Sequence, residues 1–136
     1  MQLNDHHKAF TLTELLIVVF IIGVMAAFAV PSYTRSIERS HKNDAETQLT
    51  TIWSAEQIYR AQNGSFWPAS GTGDITAINT NLSLGIIPNG MIYSCSGDGT
   101  NFNCTAARQP PAALFTIAVN QAQIDSTNPS CTGNCP

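Results

Sequence analysis

The chain has 136 residues, six of them Lys or Arg and nine Asp or Glu, which gives a formal net charge of −3. That length suffices for one domain with a modest core and is too short for two. Beyond Arg60 the only basic residue is Arg108. Because nucleic-acid binding needs a cationic surface, this charge distribution argues against a nucleic-acid site in the C-terminal half.

A long apolar run follows a short polar leader, Met1 to Ala9. Between Phe10 and Val30 the only ionisable residue is Glu14, and Leu15 to Val30 is apolar or glycine throughout. At about 1.5 Å per residue these helical residues reach about 30 Å, the hydrocarbon thickness of a bilayer. A buried core helix is the alternative. The run is longer than that of a cleaved secretory signal and lacks its small-residue cleavage site, so we expect it to be retained.

A second, amphipathic half of the same helix is predicted after Pro31, where the proline is expected to kink the helix. Residues at spacings of three or four form one face, which is mainly apolar. They are Ile37, His41, Ala45, Leu49, Ile52, Glu56 and Tyr59. Asn63 and Gly64 both tolerate the left-handed conformation that ends helices. The prediction is one helix over about 10–62, apolar in its first half.

The remainder predicts a small antiparallel sheet, so the fold class is α+β. Ser65 to Gly90 is rich in Ser, Thr, Asn and Gly and is expected to be mostly irregular. Three strand candidates follow, laid across the amphipathic helix face. Their ranges are Met91 to Cys95, Phe102 to Arg108 and Leu114 to Asn120. The predicted organisation is a leader over 1–9, an apolar helix half over 10–30 and a globular part over 31–136.

The four cysteines all lie downstream of the apolar run. Because they follow a segment that can cross a membrane, we expect them on the exported side. An even number of cysteines in an exported, core-poor domain indicates disulfides, although four cysteines allow three pairings. We expect Cys95–Cys104, which would close a hairpin, and Cys131–Cys135, which would close a tight loop. A metal site is the alternative, but the cysteine spacings do not match the common zinc patterns.

No catalytic constellation is visible in the sequence. We find no nucleophile–base pair, phosphate-binding loop or zinc-binding HExxH, and we therefore expect no enzymatic activity, cofactor or metal. The aromatic residues around the end of the helix are expected to belong to the core rather than to a ligand site. They are Trp53, Tyr59, Phe66 and Trp67.

Residues 8–33, KAFTLTELLIVVFIIGVMAAFAVPSY, resemble the N-terminal signature of type IV pilins and type II secretion pseudopilins. The resemblance consists of Phe10-Thr11-Leu12, Glu14-Leu15-Leu16, the apolar run that follows, and Pro31 with Tyr33. It implies that a prepilin peptidase removes the leader by cutting between Ala9 and Phe10 and methylates the new amine of Phe10. Ala9 is a small residue in the place where the family usually has glycine.

The resemblance also implies a location and partners. The precursor would cross the inner membrane once and would meet the pilus assembly platform there. We expect its leader to lie inside, because the cysteines and the core-poor C-terminal part suit export. After cleavage it would polymerise with copies of itself, through the N-terminal helix, into a cell-surface filament. A major pilin, a minor or tip pilin acting in adhesion or DNA uptake, and a type II secretion pseudopilin all remain open.

Glu14 has two interpretations. An isolated carboxylate costs about 2.5 kcal/mol or more to insert at the centre of a membrane, so it must lie near an interface, be protonated or be paired. It could simply lie among the lipid headgroups. Alternatively, it serves assembly by pairing with the amine at Phe10 of another subunit.

Overall fold

The computed structural model describes residues 10–110, 114–125 and 127–136. The predicted leader, including Ala9, lies outside these residues. The chain divides into two compact units, the first ending at Ser36 and the second spanning Ile37–Pro136. Its elements are α1 (Leu12–Asn63), β1 (Gly71–Asp74), α2 (Ile75–Asn81), β2 (Met91–Gly97), β3 (Phe102–Arg108), β4 (Phe115–Asn120) and β5 (Ser130–Gly133).

The first unit contains the apolar half of α1. Every side chain from Phe10 to Phe28 is exposed, including Phe20 at 69% and Phe28 at 76%. Helix α1 is long and apolar enough to cross a membrane. It continues through position 31, so Pro31 does not end the helix. The kink expected at Pro31 stays a prediction.

In the second unit α1 buries the middle of the predicted face, whereas Ile37 is 37% exposed and His41 and Tyr59 are half-buried. Ala45, Leu49, Ile52 and Glu56 are fully buried, at spacings of four, three and four residues. This confirms the helical periodicity, because side chains at such spacings lie on one side of a helix. The predicted helix end is also confirmed. Gly64 has φ +79° and its N–H donates to the carbonyl of Arg60 at 2.8 Å.

One five-stranded antiparallel sheet, in the order β1-β2-β3-β4-β5, covers this helix face. Alternate residues of β2, β3 and β4 point into the shared core, as the pleat requires. Phe66 and Phe102 also meet there, with ring centroids 4.9 Å apart. The core cluster of the sheet consists of Met91, Tyr93, Cys95, Phe102, Cys104, Ala106, Phe115, Ile117 and Val119.

The structure corrects the prediction in two segments. Ser65 to Gly90, predicted as mostly irregular, contains β1 and α2, and the polar tail contains β5, so the sheet has five strands rather than about three. Both added strands have four residues and lie at the sheet edges. Such short, Gly- and Thr-rich strands form because a neighbouring strand offers hydrogen bonds, which local sequence does not reveal. Helix α2 starts where Asp74 accepts a hydrogen bond from Ala77 N at 2.9 Å.

Candidate functional site

The N-terminus of α1 is organised by Thr11 and Glu14. Leu15 N donates to the carbonyl of Thr11 at 3.3 Å, which makes Thr11 the N-cap of the helix. Glu14 N donates to Thr11 Oγ1 at 3.2 Å, and Thr11 N donates to Glu14 Oε2 at 2.9 Å. This reciprocal arrangement is a capping box, in which each side chain satisfies a backbone donor of the other residue.

The capping box occupies one carboxylate oxygen of Glu14. Thr11 Oγ1 also donates to Glu14 Oε2, at 2.7 Å. Within residues 10–110, 114–125 and 127–136, Glu14 Oε1 accepts no hydrogen bond from a partner. Glu14 can therefore cap its own helix and still accept a second donor through Oε1.

The predicted site includes Glu14 but not its capping partner Thr11. The spacing Thr-x-x-Glu before an apolar run is nevertheless the signature of a capping box. Of the other predicted site residues, Phe10 is 78% exposed. Ala9 lies outside the described residues, so the cleavage position stays a prediction.

The surface that follows Glu14 is a continuous apolar one. The large side chains between Leu15 and Phe28 are all between 45% and 76% exposed in the isolated chain. Exposed apolar surface of this extent marks a membrane-facing or protein-facing region rather than a surface left in water. This segment therefore needs lipid or other apolar helices around it.

The first predicted disulfide, Cys95–Cys104, is confirmed. The two residues face each other in the register of β2 and β3, and both are fully buried. This bond therefore ties the central hairpin together inside the core. The structure also joins Cys131 to Cys135, across the end of β5.

We expect the same two pairs in the isolated protein. Peptide mapping without reduction should recover Cys95 linked to Cys104 and Cys131 linked to Cys135. Each bond closes a short loop, so each should stabilise the fold by about 2–3 kcal/mol at most through chain entropy. A peptide joining Cys95 or Cys104 to either tail cysteine would contradict this pairing.

The acidic side chains of the loops serve local structure. Hydrogen bonds from Asn101 N and Thr100 N hold the pKa of the Asp98 carboxyl below its usual range. A hydrogen bond from Thr127 N lowers the pKa of the Asp125 carboxyl in the same way. Both carboxylates thus fix turns. In the part of the chain that the structure describes, no three His, Cys, Asp or Glu side chains are grouped to hold a metal ion.

Comparisons with known proteins find one matching family model and several relatives. A model of the prokaryotic N-terminal methylation motif matches residues 4–30. The type IV major pilin protein PilA of Myxococcus xanthus is 34% identical over 65 residues, covering 48% of this chain and 30% of that protein. Core protein G of the type II secretion system of Escherichia coli is 30% identical over 73 residues, covering 54% of this chain and 50% of that protein.

One relative is similar over almost the whole chain. The type IV wide pilus major component PilA4 of Thermus thermophilus is 26% identical over 131 residues, covering 95% of this chain and 94% of that protein. By contrast, the matched segment covers only 30% of the length of PilA from Myxococcus xanthus and 50% of that of core protein G. No solved structure matches the chain.

Proposed function

From its N-terminal methylation motif and its relatives among type IV pilins and type II secretion core proteins, we propose that this chain is the structural subunit of a type IV pilus-like filament. The leader is removed before Phe10, and the mature chain polymerises through the apolar half of α1. The observation that carries this proposal is the motif over residues 4–30, which includes the exposed apolar beginning of helix α1.

The precursor is held in the inner membrane by that helix, with its leader on the cytoplasmic side. The second unit then lies on the exported side, where both disulfides can form and persist. Leaving the membrane exposes the same apolar side chains again, and bundling with copies of the helix removes them from water. Membrane insertion and filament assembly thus use one surface in turn. The partners of this cycle are the prepilin peptidase, the assembly platform and other copies of the chain.

The similarity to core protein G supports a second candidate, a pseudopilin of a type II secretion system. Loss of the gene separates the two. A pilus subunit's loss should remove sheared surface filaments and leave the set of secreted proteins unchanged. If the filaments are retained and secretion is lost, the pseudopilin is favoured. For a pilus subunit, the share of this chain in the total filament protein would distinguish a major from a minor pilin.

Processing gives the first direct test. Intact mass of the protein from membranes should correspond to a chain beginning at Phe10 and carrying one added methyl group. A strain without prepilin peptidase should yield the full chain from Met1. Ala9→Gly should be cut normally, because it keeps a small residue before the cut. A mature chain beginning at another residue in the wild-type strain would contradict the proposal.

A further inference from the structure

Glu56 is a charged residue type inside the core. It lies on the buried face of α1, between Ile52 and Tyr59, and none of its surface is exposed. A buried carboxylate normally has a cation or several hydrogen-bond donors around it, because an unpaired charge in an apolar surrounding is costly. Glu56 has neither arrangement.

Among the residues that the structure describes, a single hydrogen bond reaches this carboxyl group. Trp67 N donates to Glu56 Oε2 at 2.9 Å, while the buried Oε1 has no partner. Burial raises the pKa of Glu56 to about 7, and the hydrogen bond from Trp67 N opposes this shift with a smaller effect. The neutral acid therefore suits the site better than the carboxylate.

The charged groups of the surrounding elements do not compensate Glu56. Arg60 lies over the Phe66 ring, 4.8 Å from its centroid. The Asp98 carboxylate accepts hydrogen bonds from backbone N–H groups of its own turn. Neither Arg60 nor Asp98 forms a hydrogen bond or ion pair with Glu56, and the same holds for the other titratable groups on the surrounding elements. Those others are Tyr59 on α1, Asp74 after β1, Tyr93 on β2, Arg108 on β3 and Asp125 after β4.

We propose that Glu56 is a proton-operated latch, which in its neutral form fastens the segment 64–74 to α1 and on ionisation loosens that segment. The latch acts at the start of the chain that leaves the helix. Phe66 is fixed separately, by its N–H to Gly99 O at 2.8 Å and by its contact with Phe102. Ionisation strengthens the acceptor for Trp67 N itself, but it also leaves a charge in the core on a carboxylate whose Oε1 has no partner among the described residues. The cost of that desolvated charge is what drives the segment around Trp67 to open to water.

The Trp67 side chain packs on strand β1, so the latch acts on that strand. A Cβ added at Gly73 would collide with the Trp67 ring, so the indole packs directly on the backbone of β1. Within the described part of the chain, strand β1 lies at the edge of the sheet and pairs only with β2. Gly73 is the buried residue of β1, so loosening Trp67 uncovers the inner face of this edge strand and weakens its packing as pH rises.

The direction of the pH dependence follows from proton binding. The folded chain holds the proton of Glu56 up to about pH 7, whereas an unfolded glutamate releases it near pH 4.5. Between these values the unfolded state binds fewer protons, so the latch weakens as pH rises. Below pH 4.5 and above pH 7 its contribution no longer changes with pH.

Amide hydrogen exchange on the full chain in detergent micelles tests the latch. Wild type and Glu56→Gln are compared at the same pH, because Gln keeps the acceptor for Trp67 N and cannot ionise. Protection of segment 64–74 should be equal in both at pH 5. At pH 8 it should be lower in wild type by about tenfold to a hundredfold. Glu46→Gln, which removes a partly exposed carboxylate from the same helix, should behave as wild type at both pH values.

Equal loss of protection in wild type and Glu56→Gln would overturn the proposal. If Glu56→Gln does not fold, the wild-type chain still decides the question, through the carbon chemical shift of the Glu56 carboxyl followed by NMR against pH. A midpoint near 7, accompanied by loss of Trp67 protection over the same range, supports the latch. A midpoint near 4.5 excludes it.

Discussion

A strain whose only copy of this chain carries Glu14→Gln should insert and cleave the protein normally yet produce at least about tenfold fewer filaments. The apolar half of α1 can be buried in many registers, because one apolar helix can slide along another without loss of contact area. A single charged pair selects one register, since every other register leaves a charge unpaired in an apolar medium. Glu14 is the one ionisable residue from Phe10 to Val30.

The capping box makes this substitution a sharp test. Glutamine can replace glutamate as the third residue of a capping box, so Glu14→Gln should keep the bond with Thr11 N and remove only the charge. Thr11→Val is the complementary variant, because it deletes the N-cap hydroxyl and leaves the charge of Glu14 in place. If capping were the whole role of Glu14, Thr11→Val would reduce filaments strongly and Glu14→Gln would not.

The proposed partner is the amine that cleavage creates at Phe10 of another subunit. Glu14 Oε1 accepts no hydrogen bond within the described chain, so it can receive this amine while Oε2 keeps the cap. Before cleavage that nitrogen is a neutral amide, which explains why processing would precede assembly. Normal filament yield from the Glu14→Gln strain would defeat the pairing and return Glu14 to the headgroup interpretation.

What could be predicted from the sequence is what depends on neighbouring residues. The apolar run, the buried face of α1 and the stop at Gly64 follow from local spacing and residue type, and all three are present. The hairpin of β2 and β3 is also local, so its turn placed Cys95 opposite Cys104. Strands β1 and β5 could not be predicted in this way, because their own residues have weak strand propensity. Each forms a strand only because it pairs with a neighbouring strand of the sheet, β2 or β4.

Tertiary contacts explain the remaining omissions. Glu56 was placed correctly on the buried helix face, but its lack of a partner follows from the fold of segment 64–74 around it. In the same way, Glu38 and Arg108 are separated by 70 residues, and no local pattern connects them. At the N-terminus, by contrast, the capping box could have been predicted from the local spacing of Thr11 and Glu14. It is easily overlooked because the residues that follow are almost all apolar.

Glu38 and Arg108 form the other contact whose loss should have a large effect. Arg108 Nε donates to Glu38 Oε2 at 2.9 Å and Nη2 donates to Oε1 at 3.1 Å. The guanidinium also donates to Gly90 O at 2.7 Å through Nη1. The side chains of Arg108 and Glu38 are only 12% and 18% exposed. This bidentate pair fastens the end of β3 to the second-unit part of α1.

Arg108→Met should lower the free energy of unfolding of the second unit by about 2–3 kcal/mol, because it leaves a mostly buried carboxylate without its cation. Glu38→Gln should cost less, since the amide still accepts a hydrogen bond and Gly90 O keeps its donor. Lys42→Met is the matched control. Lys42 and Glu46 form a partly exposed pair at 3.5 Å on the same helix, and losing it should cost no more than about 0.5 kcal/mol.

The pH dependence of this pair is distinct from that of the Glu56 latch. Arg108 holds the pKa of the Glu38 carboxyl below its ordinary value of 4.5, mainly by hydrogen bonding. Its stabilisation is therefore complete above pH 4.5 and is lost as pH falls through the lowered pKa. Thermal unfolding of the full chain in detergent, followed by near-ultraviolet circular dichroism, should show acid destabilisation in wild type that Glu38→Gln reduces. Similar losses in Arg108→Met and Lys42→Met would mean that the pair has no special role.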